Sequence, residues 1–521
     1  MFSHSRSIPI LCIVLPALVA ARMPAADTPT ARITIHADRG QTTIAPEIYG
    51  HFAEHLGRCV YEGFWVGPDS PIPNVRGIRK DVVEALRKLN IPVLRWPGGC
   101  FADEYHWKEG IGPRKDRPRM VNTHWGMVTE TNAFGTHEFL DLCEQLGCEA
   151  YIAGNVGSGT PEEMQDWVEY MTFDGDSQMA SLRRANGRDK PWRVRYFGVG
   201  NENWGCGGNM TPEYYADLYK RFQTYVRSYS GNRIVKVACG PGDFNLRWME
   251  VVLERAGRHM DAISLHYYVR GTGNWTHKGS ATQFDEKEWF ALMKNTYGVY
   301  DLLAKNIEIL DRFDRRGRIG LYVDEWGTWW DPEPGTEPGF LYQQNTLRDA
   351  VSAAIFLNAF NSRCDRVRMA NIAQTNNVLQ AMILTENDKM LLTPTYHVFE
   401  MFKVHQGATY LPSELEGPQY EFSGQSLPAI VASASKDGSG AIHLSLCNLD
   451  SDTSIELTCD IRGARAESAS ARVLTAETIN AFNTFEAPDA VKPVPLDNVR
   501  IVEGRVIASL PAKSVVVIAV K

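Results

Sequence analysis

The chain has 521 residues, well beyond the roughly 250–300 residues at which a single hydrophobic core stops growing, so we expect at least two domains. Hydrophobic residues make up 44% and charged residues 22% of the chain, which is typical of soluble globular proteins and excludes disordered, collagen-like and coiled-coil chains. The 54 Lys and Arg against 62 Asp and Glu give a net charge of −8. Without a basic block, the chain is a poor candidate for binding nucleic acid or anionic membranes.

The N-terminal residues 1–26 have the pattern of a secretory signal peptide. An apolar run at 8–21 follows Arg6, is interrupted by Pro16 and ends in small residues. It is shorter than the roughly 20 residues that a membrane-spanning helix needs. We therefore expect cleavage between Ala20 and Ala26 and an exported protein, periplasmic or extracellular, without a membrane anchor. The alternative is a buried N-terminal helix.

Eight short apolar segments follow one another along the chain, and helical patterns fit between them. A strand–helix rhythm of this kind predicts a parallel sheet, and eight units over about 350 residues predict a (β/α)8 barrel at 45–404. The predicted strands are 47–52, 92–96, 150–154, 194–199, 234–238, 262–266, 320–324 and 367–371. The predicted helices are 81–90, 139–146 with Thr136 as a cap, one from Pro161, one from Pro212 to about 230, 246–256, 286–313 and 343–361.

From about residue 405 the helical rhythm stops and strand-like segments take over. They predict an antiparallel β-sandwich at 405–521, with strands in 429–446, 454–459, 471–475, 499–507 and 514–520. A further strand-like segment at 31–36 precedes the barrel. It can pair into the sandwich, so we group residues 27–44 with the C-terminal domain.

The chain has ten cysteines, scattered along its length. Removal of Cys12 with the leader leaves an odd number, so at least one thiol is free, and the sequence leaves open whether any disulfide forms. No CxxC or HExxH motif and no zinc-like spacing of His and Cys occurs. We therefore expect neither a catalytic metal nor a cofactor.

Two carboxylates stand at the ends of opposite predicted strands of the barrel. Glu202 follows strand 4 and Glu325 follows strand 7, on the face where barrel enzymes hold their active sites. Two carboxyl groups across a cleft are what glycosidic bond cleavage needs, one as acid and the other as nucleophile or base. Their separation decides between retention and inversion of configuration, and the sequence does not supply that distance.

Other polar and aromatic residues at the strand ends fit the same chemistry. Asn201 can hydrogen-bond a sugar hydroxyl, Arg95 can keep one carboxylate ionised and Tyr268 can orient it. Indole rings can form walls for sugar rings; the candidates are Trp204, Trp326, Trp329 and Trp330.

Each of these residues also has a structural interpretation. A lone Glu after a strand usually forms a salt bridge or lies in a solvated loop. Cys100 as a nucleophile is a minor alternative, because no local pattern marks a histidine partner. The histidines at 51, 55 and 266 are either ligands or buried rings bound to the backbone. The joint occurrence of polar strand ends and two opposed glutamates favours a catalytic site.

The chain resembles the family 51 glycoside hydrolases, the retaining α-L-arabinofuranosidases. The matching stretches run in family order over nearly the whole chain after residue 26 and are 48–58, 94–107, 110–113, 198–204, 263–268, 323–327 and 369–374. The resemblance implies a jelly-roll-like C-terminal sandwich that includes the N-terminal strand. It also implies oligomers, often hexamers, although nothing in the patterning indicates one.

The resemblance also assigns roles to individual residues. It implies Glu202 as general acid/base and Glu325 as nucleophile, with Tyr268 beside the nucleophile and Arg95 supporting it. The other residues implied at the sugar site are Glu54, Cys100, Asn201, His266, Trp329 and Gln374. The expected function is exo-acting release of terminal α-L-arabinofuranosyl residues, with retention, from arabinan, arabinoxylan or their oligosaccharides.

Two other functions remain as alternatives. An endo-β-glucanase or endo-xylanase can use the same barrel and glutamates, and a long open cleft would favour it. A non-catalytic carbohydrate-binding protein on a decayed barrel would have lost a carboxylate, whereas both are present. The sandwich either braces the barrel or binds polysaccharide, and we favour the first interpretation.

Overall fold

The computed structural model describes residues 1–2 and 28–521. The predicted signal peptide, 1–26, lies outside this range except for its first two residues, and so does the expected cleavage between Ala20 and Ala26. In the part of the chain that is described, no helix combines the length and the apolar character needed to cross a bilayer.

Eight parallel strands form a closed barrel in which neighbours in the chain are neighbours in space, which confirms the predicted fold class. The first strand is shorter than predicted, because Pro46 opens a 3-10 helix over Pro46–Tyr49 in place of its first half. The sixth and seventh strands extend several residues beyond their predicted ends. The barrel strands, numbered 1 to 8 below, are Gly50–Phe52, Val93–Trp96, Glu149–Gly154, Tyr196–Val199, Val235–Ala238, Ala262–Val269, Gly320–Thr328 and Val367–Ile372.

Side chains fill the interior of the barrel. One buried cluster combines residues from most of the barrel strands, namely Val93, Tyr151, Tyr196, Val237, Ala262, Tyr322 and Met369. The barrel is therefore a packed core rather than a pore, and ligands can reach it only at its rim.

The helices lie where the sequence predicts most of them. The predicted helix 286–313 is two helices, because Gly298 interrupts it; a Cβ there would lie 3.1 Å from the Tyr267 hydroxyl. Thr136 is the first helical residue and Gly135 the cap. The sequence pattern did not predict two of the helices, Gln178–Ala185 and Pro394–Phe402. The α-helices are Lys80–Leu89, Thr136–Leu146, Pro161–Thr172, Gln178–Ala185, Pro212–Tyr225, Leu246–Ala256, Glu286–Tyr297, Val299–Phe313, Leu347–Ser362 and Pro394–Phe402.

Two sheets form the C-terminal sandwich. In spatial order, the first consists of Ser413–Glu416, Thr30–His36, Ile455–Arg462, Arg505–Leu510 and Arg500–Val502. The second consists of Thr409–Leu411, Ile430–Lys436, Ile442–Asn448, Ser514–Val520, Ala469–Leu474 and Val494–Pro495. The N-terminal strand Thr30–His36 pairs parallel with Ile455–Arg462, so the sandwich is not wholly antiparallel.

Four short two-stranded hairpins lie within the loops of the described residues. They pair Asn74–Val75 with Ile78–Arg79, Met120–Asn122 with Val128–Glu130, Ile383–Glu386 with Lys389–Leu392, and Gln419–Phe422 with Gln425–Pro428.

The helix Leu347–Ser362 joins the barrel to the sandwich. Every residue from Leu347 to Asn361 is buried, as expected of a helix that is covered on all sides. Asn358 on this helix accepts hydrogen bonds from the hydroxyls of Ser433 and Ser445, each at 2.7 Å. The interface between the domains is therefore apolar, with a polar cluster at its centre.

Candidate active site

A pocket of about 230 Å³ opens at the C-terminal rim of the barrel. Its lining comes from the ends of all the barrel strands except the third. Both predicted carboxylates, Glu202 and Glu325, face it. The strand ends that the sequence analysis treated as one site are therefore brought together in a single pocket.

Glu325 lies within barrel strand 7 and is held by three neighbours. The Arg95 guanidinium donates to its Oε1 at 2.7 Å, and the Tyr268 hydroxyl donates to its Oε2 at 2.9 Å. The turn after barrel strand 2 packs against it, because a Cβ on Gly99 would lie only 2.7 Å from Oε1. These contacts fix both carboxylate oxygens and keep one beside a permanent positive charge.

Glu202 follows barrel strand 4 in a left-handed backbone conformation, with φ of 42°. Side chains rarely adopt this region, and it persists only where the surroundings hold it. Burial raises the pKa of Glu202, the Glu325 carboxylate adds to this, and a hydrogen bond with His266 opposes it. Carboxylate oxygens of the two glutamates lie within 4.8 Å of each other.

His266 forms an ionic bridge at the centre of the site. Its Nδ1 lies 2.8 Å from Glu202 Oε1 and 3.5 Å from Glu325 Oε2, and its Nε2 lies 3.2 Å from Asp324 Oδ1. Burial alone would lower the pKa of His266, but these carboxylates outweigh it and raise the pKa to about 10. The ring is therefore a cation near neutral pH, with Glu202 as one of its acceptors.

Asp324 is a buried counterion that the sequence analysis did not single out. Burial acts to raise its pKa, but Arg95 and His266 outweigh this and hold the pKa below its ordinary value. The Tyr151 hydroxyl also donates to it at 2.7 Å. Asp324 therefore stays ionised and compensates the two cations of the site.

Glu54 lies beside the pocket in a dense set of donors. Its Oε1 accepts from the backbone N–H groups of Gly99 and Phe101 and from the Trp125 indole, each at 3.0 Å. Its Oε2 accepts from Gln374 at 2.9 Å. Burial and the neighbouring Glu325 raise its pKa to about 7 in spite of these donors.

Polar atoms near the pocket that have no hydrogen-bond partner among the described residues include Asn201 Nδ2, Gln374 Oε1 and the indole Nε1 of Trp329. Buried polar atoms are normally paired, so an unpaired donor and acceptor indicate a place for ligand hydroxyls. Asn201 is held from behind by Arg95 Nη2, which donates to its Oδ1 at 2.5 Å. Arg95 and Asn201 are buried and do not themselves line the pocket.

Aromatic rings form much of the rim. Trp329 and Trp204 line the pocket, as predicted, whereas Trp326 and Trp330 are buried in the core and form no wall. Trp326 packs on phenylalanines of the helix layer, so the expectation of a sugar contact is wrong there. Two lining indoles were missed because they lie in long loops, Trp125 and Trp275.

Cys100 lines the pocket as predicted, but its sulfur is joined to Cys206 in a disulfide. The bond excludes Cys100 as a nucleophilic thiol while it is intact. No sequence pattern indicates this pairing, because 106 residues separate the two cysteines. The remaining cysteines of the described range are free.

Asp103 is a second buried carboxylate that sequence reasoning missed. It accepts from the backbone of Val156 and Gly157, both at 2.7 Å, and from the backbone of Asn201 at 3.0 Å. Burial raises its pKa to about 7. Asp103 thus ties together the loops that follow barrel strands 2, 3 and 4.

Two groups of side chains in the described part of the chain are close enough to hold a metal ion: Cys100 with Glu202 and Cys206, and Glu202 with His266 and Glu325. The first is closed by the disulfide and the second is already bridged by the protonated His266. His51 and His55 are buried elsewhere; His55 pairs with the Glu130 side chain at 2.9 Å, whereas neither ring nitrogen of His51 has a hydrogen-bond partner among the described residues.

An eight-stranded barrel with two adjacent carboxylates, a bridging cation and an aromatic rim defines a glycoside hydrolase. Comparison with known proteins identifies the family. Residues 85–288 match the α-L-arabinofuranosidase 1 domain, and residues 324–514 match the α-L-arabinofuranosidase C-terminal domain.

Relatives that match over almost their whole length support the same family assignment. The chain is 54% identical to an intracellular exo-α-L-arabinofuranosidase of Bacteroides ovatus, over 97% of this chain and 98% of the relative. The crystal structure of the GH51 arabinofuranosidase from Xanthomonas axonopodis pv. citri superimposes with a TM-score of 0.94, at 48% identity, over 95% of this chain and 100% of that one. An α-L-arabinofuranosidase from Thermotoga maritima, solved as an arabinose complex, gives 0.81 at 31% identity, over 94% and 99%.

The chain belongs to the α-L-arabinofuranosidases of glycoside hydrolase family 51. The predicted family, fold class and exo-acting arabinofuranosidase activity are confirmed, and the substrate carries arabinose. The prediction of export is contradicted, because the Bacteroides ovatus relative, which matches along almost its whole length, is described as intracellular. The prediction of export rested on the leader-like pattern of residues 1–26 alone.

Proposed function

We propose that Glu325 is the nucleophile and Glu202 the general acid/base of a double displacement that releases terminal α-L-arabinofuranosyl residues. The observation that carries this proposal is the separation of the two carboxylates, whose oxygens lie within 4.8 Å of each other. Retaining glycosidases place the two groups about 5–5.5 Å apart, whereas inverting enzymes leave about 6.5–9.5 Å for a water molecule.

The first step forms a covalent glycosyl-enzyme. Glu325, ionised and aligned by Arg95 and Tyr268, attacks the anomeric carbon. Glu202 gives its proton to the departing oxygen, and its raised pKa suits this task. The leaving alcohol takes that proton, and the glycosidic C–O bond breaks as the ester bond to Glu325 forms.

The second step frees the enzyme. Glu202, now a carboxylate, accepts a proton from water, the water oxygen attacks the anomeric carbon and the ester bond breaks. Two inversions give net retention of configuration. His266 remains a cation throughout and stabilises the charge that moves between the two glutamates, because it lies within 3.5 Å of both.

The shape of the site supports removal of one sugar from a chain end. A pocket of about 230 Å³ suits one furanose ring. Glu54, Asn201 and Gln374 offer the acceptors and donors for its hydroxyls. We propose arabinose-bearing oligosaccharides or side chains of polysaccharides such as arabinan and arabinoxylan as substrates, with Trp204 and Trp329 against the adjoining sugar.

We also propose the division of the chain that its sequence predicts, with the barrel at 45–404 and the sandwich formed by 27–44 and 405–521. The pairing of Thr30–His36 with Ile455–Arg462 supports it. In this arrangement the sandwich braces the barrel through the buried helix Leu347–Ser362.

The test compares Glu325→Ala and Glu202→Ala on two substrates, an arabino-oligosaccharide and a nitrophenyl α-L-arabinofuranoside. We expect Glu325→Ala to lose activity on both. Glu202→Ala should lower kcat/KM by about 10²–10⁴-fold on the oligosaccharide and far less on the nitrophenyl substrate, whose leaving group needs no proton. Wild-type rates in either variant on the oligosaccharide would refute the assignment.

A further inference from the structure

We propose that the Cys100–Cys206 disulfide is a positioning element for Glu202, so that opening it selectively weakens proton delivery to the leaving group. The inference rests on the proposed acid role of Glu202. It concerns a bond that the two-step mechanism does not otherwise use.

The disulfide ties the two halves of the catalytic pair together. Cys100 follows Gly99, whose backbone packs on Glu325, and Cys206 lies four residues after Glu202. The bond therefore links the turn beside the nucleophile to the loop that carries the acid. It shortens the path between these two segments from 106 residues to one covalent bridge.

The sulfur also touches the reacting group. Cys206 Sγ lies 3.5 Å from Glu202 Oε2, while the other oxygen, Oε1, is bound to His266 at 2.8 Å. A disulfide sulfur has no proton to donate, so it offers Oε2 a contact without competing for it. The oxygen that can carry the transferable proton is thus held in place by an apolar neighbour.

The backbone around Glu202 needs such support. Its φ of 42° belongs to the left-handed region, which is costly for a residue with a side chain and persists only where the surroundings hold it. The loop closes on itself through Gly205 N–H and Gly207 N–H, which both donate to the Glu202 carbonyl, at 2.7 Å and 3.1 Å. The disulfide joins this closed loop to the rest of the site.

The fold does not depend on the same bond. Asp103 still anchors Asn201 through its backbone N–H at 3.0 Å, and Asn203 still donates to the Gly207 carbonyl at 2.8 Å. Loss of the disulfide should therefore loosen the Glu202 side chain and leave the barrel intact.

Reduction supplies a direct way to open the bond. Dithiothreitol, a dithiol, gives up two electrons and two protons and becomes a cyclic disulfide, while Cys100 and Cys206 become two thiols. The new Cys206 thiol lies where it can donate a weak hydrogen bond to Glu202 Oε2.

The experiment measures kcat/KM on the arabino-oligosaccharide and on the nitrophenyl arabinofuranoside, before and after dithiothreitol. The variants are Cys206→Ala, which opens the tether without removing a residue that lines the pocket, and Cys148→Ala, a free cysteine elsewhere. Peptide mapping without reduction establishes the linkage, and melting temperatures report on the fold.

We expect kcat/KM of reduced wild type and of Cys206→Ala to fall by about tenfold or more on the oligosaccharide and by less than about threefold on the nitrophenyl substrate. The first value is a part of the 10²–10⁴-fold that a positioned general acid contributes to the rate. Cys206→Ala should not respond to dithiothreitol, and Cys148→Ala should respond like wild type. Equal losses on both substrates, no loss, or no linkage in the map would overturn the proposal. If Glu202→Ala itself shows no dependence on the leaving group, the acid role fails instead.

Discussion

At the scale of single residues, the active site depends on a close approach that only glycine allows. The turn after barrel strand 2 brings Gly98 and Gly99 against Glu54 and Glu325, and a Cβ at either position would lie within 2.9 Å of a carboxylate oxygen. Side-chain contacts under 3.0 Å force a neighbour to move. For Gly99 that neighbour is Glu325, the proposed nucleophile, which Arg95 holds in place.

Gly99→Ala should therefore lower kcat/KM by about a hundredfold, because a displacement of about 1 Å at the reacting group costs that much. Kinetics on the nitrophenyl arabinofuranoside measure it, with Gly438→Ala as control, since a Cβ there meets no atom within 4 Å. The melting temperature should change little in either variant. A Gly99→Ala enzyme as active as Gly438→Ala would show that Glu325 has room to move.

The predictable part of the site lies at the ends of the strands. Glu325 lies in the second half of barrel strand 7 and Glu202 lies three residues after barrel strand 4, so the strand pattern was enough to predict that they meet. Trp125 and Trp275 reach the pocket from long loops, whose course no periodicity encodes. Trp326 lies within strand 7 and Trp330 lies just beyond it, next to Trp329, but the direction of each ring depends on the packing around it.

At the scale of elements, the helix Leu347–Ser362 carries the joint between the two domains. The apolar pattern predicted a helix there, yet burial on every side removes the amphipathic signal that would reveal its partners. The split at Gly298 was missed for a related reason: apolar residues continue with helical spacing on both sides of it. The hydrophobic period of a helix arises from the difference between its exposed and buried faces, so it does not reveal the packing partners of a helix that is buried on all sides.

Asn358→Ala tests the polar cluster in this joint. It removes the acceptor that the hydroxyls of Ser433 and Ser445 use at 2.7 Å. As donors they keep only the longer contacts with each other and with the Ser433 carbonyl, at 3.1 Å and 3.2 Å, and a buried polar group that loses its partner costs about 1–3 kcal/mol. We expect a melting temperature several degrees lower and an unchanged kcat/KM. Glu308→Ala, on an exposed helix face, is the control and should melt like wild type. Equal melting of the two variants would contradict the role given to Asn358.

At the scale of the whole molecule, the sandwich depends on the first described strand of the chain. Thr30–His36 lies between Ser413–Glu416 and Ile455–Arg462, with Ile33 fully buried and Thr34 on the other face. The strand was visible in the sequence. Its parallel pairing was not, because alternation reports which face is covered but not the direction of the neighbour.

Ile33→Lys should destabilise the whole enzyme, because an unpaired charge in the sandwich core costs several kcal/mol. We expect the temperature at which activity is lost to fall together with the melting temperature, since the helix Leu347–Ser362 packs on both domains. Thr34→Lys adds the same side chain beside Glu414 and Asp460 and should melt near wild type. Activity that survives the unfolding of the Ile33→Lys sandwich would show that the barrel stands alone.

The position of that strand determines the order in which the sandwich can form during translation. About 380 residues separate His36 from Ser413, its first partner in the sheet. At a synthesis rate of about 5–20 residues per second, the strand emerges from the ribosome roughly 20–75 s before either neighbour exists. During that interval its two hydrogen-bonding edges are open, so a nascent chain must be kept from pairing with other chains until the last quarter has been translated.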